Sequence, residues 1–476
     1  MKKFIGVFAV FILCSGSVLF SGCSIGGGTT ELIIHTNNLK HGINLALRSS
    51  VIVQAINGNS LSAGSGVIYK IVGNDMYIIT NWHVIAKSGD SNATPTGNYM
   101  VIPAGVPEMF QYDRNGDGDI ADYNDYIFDT NPQYIAETNI GAEDDDSDNV
   151  VLVGGSSYYD IAILKVTNTS LMYTFNLKAA KIFGEDEETQ FIFGRLAYGE
   201  TVFAIGNALD DGISATEGIV SVPSEYTIAL DLLPDPNTKG AWWEDYMPRR
   251  VIRTTAAVAQ GNSGGGLFNG SGELVGIVQS KLFYYGETAT IGGYNVITDE
   301  VLPVDNMAYA VPIDIAVRIA MQMVERDALK NDDDFAIGAN KDCLTFPSVG
   351  ISLDSTNKHS VIDGDGIVFY EEDILVAEIG EDNPETGAKG CQLELNPNDI
   401  IRRVECNGKV FVPTQTYQIR EFLIECYDAT EITIWVEREN ETDDTIQTDE
   451  NGYYKITGGF AGMTDGRPNR TPPAAG

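Results

Sequence analysis

Three side chains far apart in the chain have the types needed to break an acyl bond. Ser263 sits in Gly261-Asn262-Ser263-Gly264-Gly265, after the small apolar run Ala256 to Ala259 and before a strand-like Leu274 to Val278. Glycines let the backbone turn sharply, so that N–H groups point into one small volume. The N–H groups of Gly261 and Ser263 could then stabilise the oxyanion that forms when the Ser263 hydroxyl attacks a carbonyl. A serine hydroxyl is a weak nucleophile and needs a base, and the base needs a carboxylate to orient it. Of the four histidines, His35, His41, His83 and His359, only His83 follows an apolar β-rich run, Met76 to Trp82, that can deliver an imidazole to a strand end. Asp160 stands immediately before Ile161-Ala162-Ile163-Leu164-Lys165-Val166. A carboxylate entering a buried strand must find a partner, or cost about 3–5 kcal/mol; a histidine N–H would serve. Asp146 and Asp148 lie nearby in an acidic run but lack that apolar continuation.

A second constellation is Asp113-Arg114-Asn115-Gly116-Asp117-Gly118-Asp119-Ile120. Oxygen donors at the first, third and fifth positions, glycine at the sixth and an apolar residue at the eighth form a calcium-loop pattern. Asp113, Asn115, Asp117 and Asp119 would ligate Ca2+, with Asn124 or Asp125 completing the shell. Asn124 falls where a bidentate glutamate is expected, so an acidic surface loop is the alternative.

Many short β-rich runs separated by glycine-bearing turns must position these groups, and they predict a mostly β fold. Val51 to Ile56 and Gly64 to Tyr69 read as strands, Asn37 to Arg48 has helical spacing, and about 86–157 is a long acidic insertion between His83 and Asp160. Ile313 to Arg326 has apolar residues at helical spacing, with Met321 and Met323 as packing residues.

Thr80-Asn81-Trp82-His83-Val84, Asp160 to Val166 and Gly261 to Gly265 occur in His, Asp, Ser order. With Gly199 to Asn207, Gly218 to Ser221 and Met307 to Pro312, they resemble the trypsin-like serine proteases of the HtrA (DegP-type) family. The chain departs from that pattern at Gly266, where the family usually has proline, and in Trp82 before the histidine. The resemblance implies a two-barrel trypsin-like domain over 51–325 with catalytic residues His83, Asp160 and Ser263 at the seam. It also implies hydrolysis of peptide bonds in misfolded or exported proteins, no cofactor for catalysis, and a homotrimer. Residues 256–260 and 277–280 would line the specificity pocket; with no acid among them, small to medium apolar side chains fit better than lysine or arginine.

After a linker, 326–342, the stretch 343–438 resembles an α+β PDZ domain. Ser348-Val349-Gly350-Ile351 matches its carboxylate-binding loop, Thr414 to Cys426 its groove helix and Glu431 to Glu437 its last strand. Backbone N–H groups of Val349, Gly350 and Ile351 would then hold a peptide C-terminus while the peptide adds as a strand. Residues 439–476 are polar and are expected to be a disordered tail. At the other end, Lys2-Lys3 and the apolar Phe4 to Phe20 read as an export signal over 1–22. Leu19-Phe20-Ser21-Gly22-Cys23 resembles a lipobox, which implies lipidation at Cys23, a tether over 23–50 and a lipid anchor on the extracytoplasmic face; a plain signal peptide or an uncleaved anchor are the alternatives.

The chain has 476 residues, with 67 acidic and 30 basic side chains and a net charge of −37. So acidic a surface argues against nucleic-acid binding. Cys343, Cys391, Cys406 and Cys426 all fall in the second module. In an exported protein they can pair as disulfides, the pairing left open, or stay as buried thiols. The reading of another class is a catalytically inactive barrel serving as a peptide-binding chaperone or scaffold.

Overall fold

The computed structural model of the protein describes residues 39–57, 60–87, 94–104, 136–137, 149–167, 176–185, 195–228, 248–285, 288–291, 294–297, 301–329, 343–384, 387, 389–438 and 448–464. The calcium-loop residues 113–125 and Cys23 lie outside them.

Two seven-stranded sheets make up the first unit. One contains β1 (Ser50–Asn57), β2 (Ser60–Val72), β3 (Asp75–Thr80), β4 (Asn98–Pro103), β5 (Ala136–Glu137), β6 (Asn149–Ser156) and β7 (Ile161–Thr167), in the order β5-β4-β1-β2-β3-β7-β6. Its pairings are antiparallel, and Ile78 sits opposite Leu164 on β7. The β-branched residues of β1, β3 and β7 suit a pleated, buried surface, and Val51, Val53, Ile68, Ile78 and Leu164 form its core. β7 is buried on both faces, so it reads as an unbroken apolar run rather than an alternating one.

The other sheet holds β8 (Lys181–Ile182), β9 (Thr201–Gly206), β10 (Ser214–Ile228), β11 (Pro248–Thr254), β12 (Gly266–Asn269), β13 (Glu273–Tyr285) and, after the hairpin β14 (Thr288–Ile291) and β15 (Tyr294–Ile297), β16 (Val301–Pro312). The order is β12-β9-β10-β11-β16-β13-β8, with β12 also pairing β13. A one-turn helix, α1 (Trp82–Ile85), follows β3, and α2 (Ile313–Ala328) follows β16. The expected spacing is realised in α2: Ile315, Ile319 and Met323 are buried. Buried Lys165 on β7 pairs with Asp327 of α2 at 2.8 Å, and the Tyr77 hydroxyl donates to the same carboxylate oxygen at 2.8 Å.

The second unit comprises β17 (Phe346–Ser348), which stands outside its main sheet, the sheet strands β18 (Ile351–Ile362), β19 (Val368–Ile379), β20 (Ile400–Cys406), β21 (Lys409–Phe411) and β22 (Ile432–Glu437), and helix α3 (Thr416–Ile424). The expected disordered tail is corrected within 448–464. Two further strands, β23 (Tyr454–Gly458) and β24 (Gly462–Thr464), pair with β22 and β17, so β22 is not the last strand. Tyr454 and Ile456 are buried, and that apolar burial holds a segment whose surroundings in sequence are polar. Of the two readings left open for the cysteines, the structure has the thiol one: Cys343, Cys391, Cys406 and Cys426 form no disulfide among the described residues. The two units are joined closely. The N–H groups of Cys343 and Leu344 donate to the Gly155 carbonyl at 3.1 and 3.2 Å.

Candidate active site

The nucleophile turn is shaped by what glycine alone permits. Gly261 has φ +95, and a Cβ there would lie 2.0 Å from the Asn207 carbonyl oxygen. Gly264 has φ +85 and the Ser65 carbonyl oxygen 2.2 Å from any Cβ. Both values exclude a side chain. The turn is clamped from the first sheet. Ser65 on β2 donates its N–H to the Ser263 carbonyl and its hydroxyl to the Gly261 carbonyl, each at 2.7 Å. Among the described residues, the N–H groups of Gly261 and Ser263 have no acceptor, whereas Gly264 N–H reaches Val278 at 2.9 Å and Gly265 N–H reaches Asn262 at 3.0 Å. Gly266 has an ordinary φ, but a Cβ there would fall 2.2 Å from the Phe268 ring, so a proline at this position would require that ring to shift.

His83 sits in α1, one turn past the end of β3, rather than on the strand end itself. Its Nδ1 is 2.9 Å from Asp160 Oδ2, and its backbone N–H donates to Asp160 Oδ1 at 2.9 Å. With Asp160 ionised, Nδ1 carries the proton and Nε2 is the basic nitrogen. Asp160 lies in the turn before β7 in the left-handed region, φ +57. The Asn81 amide donates to the Asp160 carbonyl at 2.9 Å and holds that turn. The Gln279 amide donates to Asp160 Oδ2 at 2.9 Å, and the Ser263 hydroxyl donates to the Gln279 carbonyl at 3.0 Å. The Arg249 guanidinium is 4.0 Å from Asp160 Oδ2. Burial alone would push the Asp160 carboxyl up. The charge and hydrogen bond of His83, helped by Arg249 and Gln279, outweigh burial and hold it below the usual carboxylate range.

The structure therefore brings His83, Asp160 and Ser263 into one connected group, with Gln279 bridging the acid and the nucleophile. Gln279, expected among the specificity-pocket residues, reaches Asp160, and Arg249, Asn81 and Ser65 carry site geometry that the sequence did not reveal. Gln279 carried a signal, a polar residue directly after the apolar Ile277-Val278, because a buried polar group must find a partner. Asp305 joins Ala257 and Val258 in lining a cavity of about 200 Å³, an acid the sequence reading did not place there. In the second unit Val349 is buried and Gly350 has φ +76. Ser348 accepts from Ala461 N–H and Gly350 from Gly380 N–H, each at 2.8 Å, and Ile351 opens β18. Among the described residues β18 has no strand on its outer edge.

The two seven-stranded sheets with this site on their seam make the first unit a trypsin-like fold, and residues 64–277 match the trypsin-like peptidase domain family. The chain is 26% identical over 278 residues to the serine protease Do-like HtrA of Lactococcus lactis subsp. lactis (strain IL1403), covering 57% of this chain and 51% of that protein. It is 30% identical over 300 residues to a probable periplasmic serine endoprotease DegP-like of Pseudomonas putida (strain W619), covering 62% of this chain and 48% of that one. The chain thus spans about half the length of these curated relatives. Among solved structures, the serine endoprotease from Yersinia pestis aligns at 19% identity over 89% of this chain and 97% of that chain, with a TM-score of 0.41.

Proposed function

We propose that the protein is an HtrA-type serine endopeptidase acting on protein substrates. The observation that carries this reading is the connected group Ser263–Gln279–Asp160–His83 beside two N–H groups that have no acceptor among the described residues. In this reading His83 Nε2 takes the Ser263 proton as the hydroxyl oxygen attacks the scissile carbonyl carbon. Asp160 holds the imidazole and offsets its developing charge, and the N–H groups of Gly261 and Ser263 receive the oxyanion. His83 then gives the proton to the leaving amine, and water repeats the sequence to release the acyl group from Ser263.

The names of the relatives support a site of action outside the cytoplasm. A lipid on Cys23 would tether the enzyme there. The edge of β18 that no described strand pairs, beside the Val349-Gly350-Ile351 loop, offers backbone groups for strand addition by a substrate C-terminus. Ca2+ in the 113–125 loop, and trimer formation, complete the reading.

A fluorophosphonate probe together with unfolded casein tests it. Wild-type protein should be labelled and should cleave casein, and Ser263→Ala should do neither. A folded wild type that resists the probe and leaves casein intact would overturn the enzyme reading in favour of a peptide-binding scaffold.

A further inference from the structure

The turn that presents Asp160 is gripped from the second unit. Arg249 and Arg250 are consecutive on β11, so their side chains leave opposite faces of the strand. Arg249 is buried, donates to the Ser157 carbonyl at 2.9 Å and lies 4.0 Å from Asp160 Oδ2. Arg250 points the other way, into helix α3. Its Nε and Nη2 donate to the two Glu421 carboxylate oxygens at 2.6 Å each. It also pairs with Asp314 at the start of α2 and lies 4.3 Å over the Tyr417 ring. A second contact reaches the same turn independently: Arg420 of α3 lies 5.6 Å over the ring of Tyr158, two residues before Asp160. The Gly155 carbonyl, at the end of β6 before the turn, accepts the first N–H groups of the second unit.

We propose that Arg249 is a positioning residue for Asp160, and that the Arg249-Arg250 pair makes the setting of the catalytic carboxylate depend on the docking of α3. This rests on the reading of Asp160 as the group that orients His83. A fork-shaped guanidinium fixes direction as well as charge. Holding Arg250 between Glu421 and Asp314 fixes the β11 backbone that carries Arg249. If α3 moves away, Arg250 loses its bidentate partner and Tyr158 loses Arg420, and the strained turn at Asp160 loses two of its supports. Among the described residues, the groups facing the Asp160 carboxylate are His83 from α1, Arg249 from β11 and Gln279 from β13. The groups facing Arg250 are Asp314, Glu421 and Tyr417.

The experiment is a ring-nitrogen NMR titration of His83 in the full chain, which has only four histidines to assign. It reads the imidazole without requiring hydrolysis. In Arg249→Gln the Gln279 amide and the His83 backbone N–H still hold the carboxylate, but its charge is less compensated. The His83 midpoint should rise by about 0.5–1 pH unit, and Arg249→Lys should restore it. Arg250→Gln should move it the same way by less, and the double variant should match Arg249→Gln alone, because both act through one path. Arg249→Met and Arg250→Met, which keep the buried stems, replace a glutamine variant that does not fold. A folded Arg249 variant with an unmoved midpoint overturns the positioning role. An unmoved Arg250 variant, or fully additive shifts, overturns the coupling to α3. Resistance of wild type to the fluorophosphonate probe would instead sink the peptidase reading.

Discussion

Asp160 keeps a backbone conformation, φ +57, that few residues other than glycine, asparagine and aspartate tolerate. Its side chain is repaid with His83, Gln279 and the nearby Arg249, and its carbonyl with the Asn81 amide. Asp160→Asn suits the turn but presents an amide to His83 Nδ1, which favours the wrong tautomer. Casein hydrolysis should fall by about 10³–10⁴-fold in kcat with the fold intact, read by steady-state kinetics beside circular dichroism. Gln279→Leu keeps the carbonyl that accepts from Ser263 and removes only the amide donor to Asp160. Losing one hydrogen bond to a charged group, worth about 1.5–3 kcal/mol, should lower kcat/KM by roughly 10–100-fold. The pH sign follows from the depressed Asp160 carboxyl. Its contribution to stability is present above the ordinary carboxylate pKa and is lost as pH falls through the lower folded-state value. Acid unfolding of wild type should therefore begin at lower pH than that of Asp160→Asn, which circular dichroism against pH would check.

At the scale of elements, the nucleophile turn and the last strands are the informative pieces. Gly264→Ala puts a Cβ against the Ser65 carbonyl at a left-handed φ. Strain of about 1–3 kcal/mol, plus displacement of the turn from its Ser65 clamp, should lower the thermal midpoint and abolish probe labelling together. A chain ending after Arg438 lacks β23 and β24. The buried faces of Ile434 and Val436 on β22 would lose their strand partner, and Phe346 on β17 would lose β24. Limited proteolysis should then cut the second unit at protease concentrations that leave the intact chain whole; equal resistance would show those strands to be dispensable.

Across the whole molecule, the units meet through arginine–carboxyl pairs that are hardly exposed to water. Arg318 holds Glu425 at 2.5 Å, and Arg250 holds Glu421. Burial pushes the Glu421 carboxyl up to about 7, with Arg250 opposing and Asp314 adding to the rise. A carboxyl raised on folding contributes stability that is present below its ordinary pKa and is lost as pH rises through the folded value. Wild type should lose unfolding free energy between about pH 5 and 8 relative to Glu421→Gln, which has no proton to release there. Urea melts of both proteins across that range would measure the difference, and parallel curves would refute it.

The amino-acid sequence by itself determined which residue types stand in His, Asp, Ser order. A glycine-flanked serine, a histidine after an apolar strand and an aspartate before one are local patterns, because backbone freedom and burial act on neighbours in the chain. The mostly β character and the helix from Ile313 were legible for the same reason: periodicity is a property of a short stretch. The tertiary structure alone decided which polar residues complete the site. Ser65, Gln279 and Arg249 come from three strands, and nothing local marks which buried polar group will meet which. It also decided that 454–458 and 462–464 form strands, since they are ordered by pairing with β22 and β17, which no local pattern reveals. The meeting of the Asp160 turn with helix α3 joins residues more than two hundred positions apart, and only packing could bring them together.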